Sequence, residues 1–158
     1  MESITSSQEE VRRIIAEELA TAKANISSNI EREGKRASGR TQESMEVMVA
    51  DEGSEVVGTL SGRACFGALE TGTKPWANQY PSAPKWFADV IAAWMDDKGI
   101  MANPFAVATS IMKKGSKQYR EGAITTVYSE EIDATLERIN KRVMGLFEAR
   151  ISESIKRG

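Results

Sequence analysis

Leu69-Glu70-Thr71-Gly72-Thr73-Lys74-Pro75-Trp76 is the hinge of this sequence. Apolar residues come in short alternating pulses before it and at helical spacing after it, so the loop has to join a small sheet to a helical layer. Gly72 accepts backbone angles that Thr71 and Thr73 resist, and Pro75 bars a helix from running through. The segment that follows, through Tyr80, Pro81 and Pro84, is rich in proline and aromatic rings. Such a segment lies against other protein more readily than in water, which makes it a first candidate contact surface.

Upstream, Met45, Val47 and Val49 alternate with Glu46 and Met48, and Asp51-Glu52-Gly53-Ser54 reads as a turn. Glu55 to Leu60 is the returning strand of a hairpin. Ser61-Gly62 signals a second turn and Arg63 to Phe66 a third short strand, so the expected unit over 41–66 is a β meander. Before it, Gly34-Lys35-Arg36-Ala37-Ser38-Gly39-Arg40 is a small basic linker, read as a solvated loop rather than as a grip on nucleic acid or an acidic partner. The first 34 residues read as one helix. Thr5, Ser6 and Ser7 offer N-caps, Ser6 with Glu9 or Ser7 with Glu10 has capping-box spacing, and Gly34 stops the helix. Val11, Ile15, Leu19, Ala22, Ile26 and Ile30 share its apolar stripe, with Arg12, Arg13, Glu17, Lys23 and Arg32 outside it. A helix of about 40 Å is longer than a small domain needs for its own core, so its stripe is shared between its own sheet and a neighbour or given wholly to the sheet.

Downstream, Phe87, Val90, Ile91, Trp94 and Met95 form an apolar helical face that Asp96-Asp97-Lys98-Gly99 closes, with Trp86 off that face. Asn103-Pro104 opens a second short helix, in which Phe105, Ala108, Ile111 and Met112 point one way until Lys113, Lys114 and Gly115. Ser116 to Gly122 is polar, Ile124 to Tyr128 is a short β-like run, and Ser129 caps a last helix over 129–157. Its stripe is Ile132, Leu136, Ile139, Val143, Phe147 and Ile151, interrupted by Gly145. Burying one such stripe is worth roughly 9–18 kcal/mol gross, at about 1.5–3 kcal/mol per side chain before entropy, so both terminal stripes call for cover. The fold expected is α+β in a single domain, 1–158. A small antiparallel sheet of three to four short strands packs with two long terminal helices, and the 67–122 segment supplies the loop and two short central helices.

The 158 residues contain no histidine, which removes the usual general base and the commonest metal ligand. A lone cysteine, Cys65, forms no internal disulfide and no cysteine-rich zinc site, and without a basic helper beyond Arg63 it reads as a buried structural thiol. No phosphate-binding Gly-x-x-x-x-Gly-Lys-Ser/Thr run occurs. The acidic pairs Asp51-Glu52, Asp96-Asp97 and Glu130-Glu131 fall at turns or helix ends, where charge caps or solvates. Neither an enzyme nor a cofactor or metal site is expected. A net charge of −2 lacks the basic footprint of a nucleic-acid binder, and Pro104 to Met112 is too apolar to read bases as a recognition helix. No apolar run is long enough to span a membrane and no secretory signal opens the chain, so a chain made for the cytoplasm is expected. With 41% hydrophobic but only 6% aromatic residues, the core has to lean on aliphatic residues, alanine and methionine.

The order Arg63-Ala64-Cys65-Phe66-Gly67-Ala68-Leu69-Glu70-Thr71-Gly72, Lys74-Pro75, Trp94 with Lys98-Gly99-Ile100, then Pro104-Phe105-Ala106 with Ile111 and Lys114-Gly115, resembles a group of tailed-bacteriophage virion proteins. These are small neck or tail-completion proteins similar to the minor tail protein Z type, which joins a tail to its head. Tyr119-Arg120 and Val127-Tyr128-Ser129 fit the group's ending before its C-terminal helix. The likeness covers the middle of the chain, and the order and spacing of the short motifs carry it. The resemblance implies a non-enzymatic structural protein, assembled as a ring of six or twelve copies at the head–tail junction, that touches other neck or tail proteins and meets DNA only as passing cargo. Its place is then the virion, after synthesis in the host cytoplasm. Glu70, Thr73, Pro75, Trp76, Tyr80 and Trp86 are the residues expected to meet a neighbouring subunit or partner, with one terminal helix forming the facing patch. The alternative is a cytoplasmic, helix-rich adaptor that recruits a protein partner.

Overall fold

The computed structural model describes residues 2–77 and 79–157, apart from the side chains at 2–5, 65 and 157. The expectations for the Thr5 cap and for a buried thiol at Cys65 lie outside the described residues. In chain order the elements are α1 (Glu2–Arg32), α2 (Arg40–Glu43), β1 (Glu46–Glu52), β2 (Glu55–Ser61), a 3-10 turn (Ala64–Phe66) and α3 (Gly67–Thr71), then α4 (Lys85–Lys98), α5 (Pro104–Lys114), α6 (Lys117–Arg120) and α7 (Ser129–Arg157). The architecture is α+β, with one antiparallel hairpin and long terminal helices.

The sheet is smaller than the expected meander: among the described residues it has two strands, with Glu46 opposite Ser61 and Glu52 opposite Glu55. The residues read as a third strand wind instead into a helical turn, with the Phe66 N–H donating to the Arg63 carbonyl at 3.1 Å. Alanine at 64 and 68 favours that outcome, because a local turn satisfies its own backbone whereas an edge strand leaves one row of groups open. The β-like run before α7 is not a strand either. The Thr125 N–H donates to the Glu70 carbonyl at 3.0 Å and the Val127 N–H to Glu70 Oε1 at 2.8 Å, so this run closes the open carbonyl end of α3.

α1 starts at Glu2, earlier than its capping signals suggest, so Ser6 and Ser7 lie inside it. It ends as its sequence requires: Gly34 turns left-handed at φ 63°, and the Lys35 N–H returns to the Ile30 carbonyl at 2.9 Å. Asn103 caps α5 by accepting from the Phe105 and Ala106 N–H groups, with Pro104 in the first turn. Gly99 ends α4 in the left-handed region.

The chain folds into two compact units. Unit 1 comprises Met1–Asn29, Met45–Gly62 and Tyr128–Gly158; unit 2 comprises Ile30–Ser44 and Arg63–Val127. In unit 1, Ile14, Ala22, Ile26 and Met45 are buried. The hairpin comes so close to α1 at Gly58 that a Cβ there would overlap Ile15 Cγ2 and stand 2.8 Å from Leu19 Cδ1. In unit 2, Ala88 of α4 and Ala108 of α5 let those helices meet closely, and Ile91, Met95 and Met112 fill the space beside them. Alanine and methionine thus take the room that aromatic residues fill in other cores.

Two glycines are expected to respond oppositely to substitution. Gly58→Val forces a branched side chain onto the stiff Ile15 and should lower stability by about 1–3 kcal/mol. Gly145, exposed within α7, has no atom within 4 Å of the place a methyl group would take, and Gly145→Ala should gain about 0.5–1 kcal/mol. Urea unfolding of the two variants beside the wild-type chain checks both signs.

Candidate interaction surfaces

In unit 2 the hinge loop is clamped to the end of α5 and the start of α6. The Thr73 N–H donates to Ser116 Oγ at 3.0 Å, the Ser116 N–H returns to the Thr73 carbonyl at 2.9 Å, and the Trp76 N–H reaches the Met112 carbonyl at 3.1 Å. Gly72 (φ 75°) and Gly115 (φ 82°) make the clamp possible. A Cβ at Gly72 would stand 2.6 Å from the Tyr119 nitrogen, and one at Gly115 2.8 Å from the Thr73 oxygen. Both positions are therefore closed to side chains by space and by backbone angle.

The clamp brings rings together at the surface. Trp76 and Trp86 lie with centroids 5.8 Å apart, and Phe87 meets Trp76 edge-on at 5.3 Å and Trp86 at 5.6 Å. Trp76, Tyr80 and Trp86 are 45%, 55% and 61% exposed. Pro75 is exposed beside them and Thr73 is half-buried. Glu70 is set apart from the other five: it is buried, and it accepts the Val127 N–H described above.

Unit 2 also holds a groove of about 750 Å³ that sequence reading did not reveal. Leu69, Phe87, Val90, Ile91, Trp94 and Ile111 give it an apolar floor. Lys35, Lys98, Lys117 and Arg120 also line it, and among the described residues no carboxylate does. These four cations are scattered over 86 positions of sequence, and only the tertiary fold gathers them.

In unit 1, α7 lies antiparallel to α1 and is tied to it by ions. Arg150 donates to Glu10 at 2.8 Å, Arg142 to Glu18 at 2.9 Å and Glu17 at 2.6 Å, and Arg138 to Glu18 at 2.7 Å and Glu131 at 2.8 Å. Asn25 donates to Glu131 at 3.0 Å. Glu18 is buried although it is charged. Hydrogen bonds from Arg138 and Arg142, with their positive charges, overcome its burial and hold its carboxyl below the usual range. Burial pushes Glu131 upward, but Arg138 and Asn25 outweigh it and its carboxyl is also lowered. Hydrogen bonds to Glu18 and Glu131 hold the Arg138 guanidinium above its ordinary value, and those to Glu17 and Glu18 do the same for Arg142.

This pairing uses the polar side of α7 and leaves its apolar side outward. Met144, Phe147, Ile151 and Ile155, three or four residues apart, are 62%, 46%, 59% and 74% exposed. Nearer its start, Ile132, Leu136 and Ile139 face Ile15, Leu19 and Leu60 across a second apolar groove of about 360 Å³. The stripe on α7 was legible in the sequence, but Met144 and Ile155 were not counted in it, and Glu18 carried no periodic signal.

Among the described residues no group of three histidine, cysteine, aspartate or glutamate side chains is placed to hold a metal ion. None of their helices is long and apolar enough to cross a membrane.

Glu18→Ala removes the carboxylate that Arg138 and Arg142 share, while Arg138 keeps Glu131 and Arg142 keeps Glu17, and should cost about 1.5–3 kcal/mol, as for hydrogen bonds to a charged group. Since the folded carboxyls titrate below their unfolded values, the stability they add is complete above about pH 5 and drains away as pH falls through the depressed values. The Tm should therefore fall more steeply from about pH 5 to about pH 3 in the wild-type chain than in Glu18→Gln. Equal acid slopes would contradict the assignment. Comparison with known proteins adds no relative: no family model, no curated protein and no solved structure matches this chain.

Proposed function

We propose that this chain is a non-enzymatic structural subunit of a tailed-phage virion, assembling in several copies as a ring in the neck or at the head-proximal end of the tail. The observation that supports this most is the outward row on α7. A chain that exposes Met144, Phe147, Ile151 and Ile155 along one helix carries the kind of continuous apolar strip that marks a protein contact. The Trp76–Trp86–Phe87 cluster is a second such surface, made by the start of α4 and a loop that two glycines and Ser116 hold in place. Preorganised aromatic rings are what a contact surface needs, because little freedom is lost on binding. Two unlike surfaces on one subunit suit the head-to-tail contacts from which rings are built. The order of motifs from Arg63 to Gly115 supplies the virion part of the reading.

Native mass spectrometry of the purified chain, together with quantitative proteomics of particles from its natural host, tests the proposal. The expected outcome is an assembly of six or twelve copies and a matching copy number in the particle. Abundance in the cell with absence from particles would replace it with the adaptor reading. Phe147→Glu, which places charge on the exposed row without touching the core, should reduce assembly at least about tenfold while leaving Tm within a few degrees.

A further inference from the structure

The two units carry opposite charge. Unit 1 has 15 acidic and 9 basic side chains, a net −6, and unit 2 has 8 acidic and 12 basic, a net +4. The positive excess is concentrated at the groove of unit 2. Lys35 is fixed there by donating to Gln118 Oε1 at 2.5 Å, and Lys98 by donating to the Gly34 carbonyl at 2.7 Å. Neither neutral acceptor cancels the charge it holds. Lys117 reaches only an exposed Glu121 at 3.8 Å, a pair of little strength, and Arg120 has no ion pair among the described residues. An apolar floor under four cations, with no carboxylate in the lining among the described residues, selects a partner with an apolar ridge edged by acids.

α7 has that ridge. At about 100° per residue, Glu130, Asp133, Glu137 and Glu148 fall on the same outward side as Met144, Ile151 and Ile155, away from the residues that bind α1, with Lys141 the cation among them. All four acids are exposed and none forms an ion pair among the described residues. Among the described side chains α1 offers no equivalent, since Val11, Ile14, Ile15, Leu19, Ile26 and Ile30 are all buried or partly buried.

We propose that α7 of one copy docks by this outward side in the unit 2 groove of a second copy, its carboxylates against Lys35, Lys98, Lys117 and Arg120. The contact is a helix in a groove, with apolar anchors for affinity and charge for orientation. It rests on the multi-copy reading above and names the contact that builds it. Each copy supplies one ridge and one groove, so every docking leaves another ridge and another groove open, and a ring forms where the rotation closes.

Two double variants test it: Asp133→Lys with Glu137→Lys on the ridge, and Lys117→Glu with Arg120→Glu on the rim. All four side chains are exposed, so both variants should melt like the wild-type chain. In sedimentation velocity each alone should lose at least about tenfold in association constant, and their equal mixture should regain assembly, because ridge lysines then meet rim glutamates. Variants that assemble unchanged, or a mixture that does not recover, overturn the docking and leave the multi-copy reading standing. A wild-type chain that stays monomeric and is absent from particles removes both. Photo-crosslinking from benzoylphenylalanine at Val90, in a mixture of isotopically labelled and unlabelled copies, gives a readout that does not depend on charge. Crosslinks between copies into 129–157 are expected; crosslinks to another region, to a co-purified lipid or to a different protein overturn the proposal.

Discussion

The contact between Glu18 and the two arginines of α7 decides how unit 1 is built. Arg138 and Arg142 are one helical turn apart and therefore share a face, and Glu18 accepts from both. Arg150 extends that face two turns further to Glu10. A half-buried ion network adds little stability beyond what apolar side chains would give, because the cost of leaving water offsets most of the attraction. Its physical effect is one of orientation. With guanidinium groups turned toward α1, the opposite side of α7 has to face outward, and that side carries Met144, Phe147, Ile151 and Ile155.

Unit 2 is organised by a different device, close approach of backbone to backbone. Gly72 and Gly115 both sit in the left-handed region and both lack room for a Cβ. Ser116 joins them by accepting from the Thr73 and Tyr119 N–H groups. Gln118 donates to the Glu70 carbonyl at 2.6 Å while its oxygen holds Lys35, so the same short helix that clamps the loop also sets one cation of the groove. The aromatic surface and the cationic groove are in this sense products of one hydrogen-bonded junction.

Much of the secondary structure was legible because its signals are local. The Asn103-Pro104 start, the Gly99 and Gly115 stops and the alternation of Met45, Val47 and Val49 each act within a few residues, and the structure follows them. The errors share a cause. Arg63 to Phe66 and Ile124 to Tyr128 are short enough to be a strand or something else, and what decided them was where their backbone groups found partners, in a local turn for the first and at the distant Glu70 for the second. Glu70 was expected to meet a neighbouring subunit or partner, whereas the fold buries it and uses it to hold the Val127 N–H.

The sequence by itself determined that two long amphipathic helices flank a hairpin and a pair of short helices, since period and capping are properties of neighbouring residues. Tertiary structure alone decided which side of α7 is covered and where Lys35, Lys98, Lys117 and Arg120 meet. A helical stripe says which side chains point the same way, not what lies opposite them. That depends on pairings such as Glu18 with Arg142, whose partners are brought together only when the whole chain has folded.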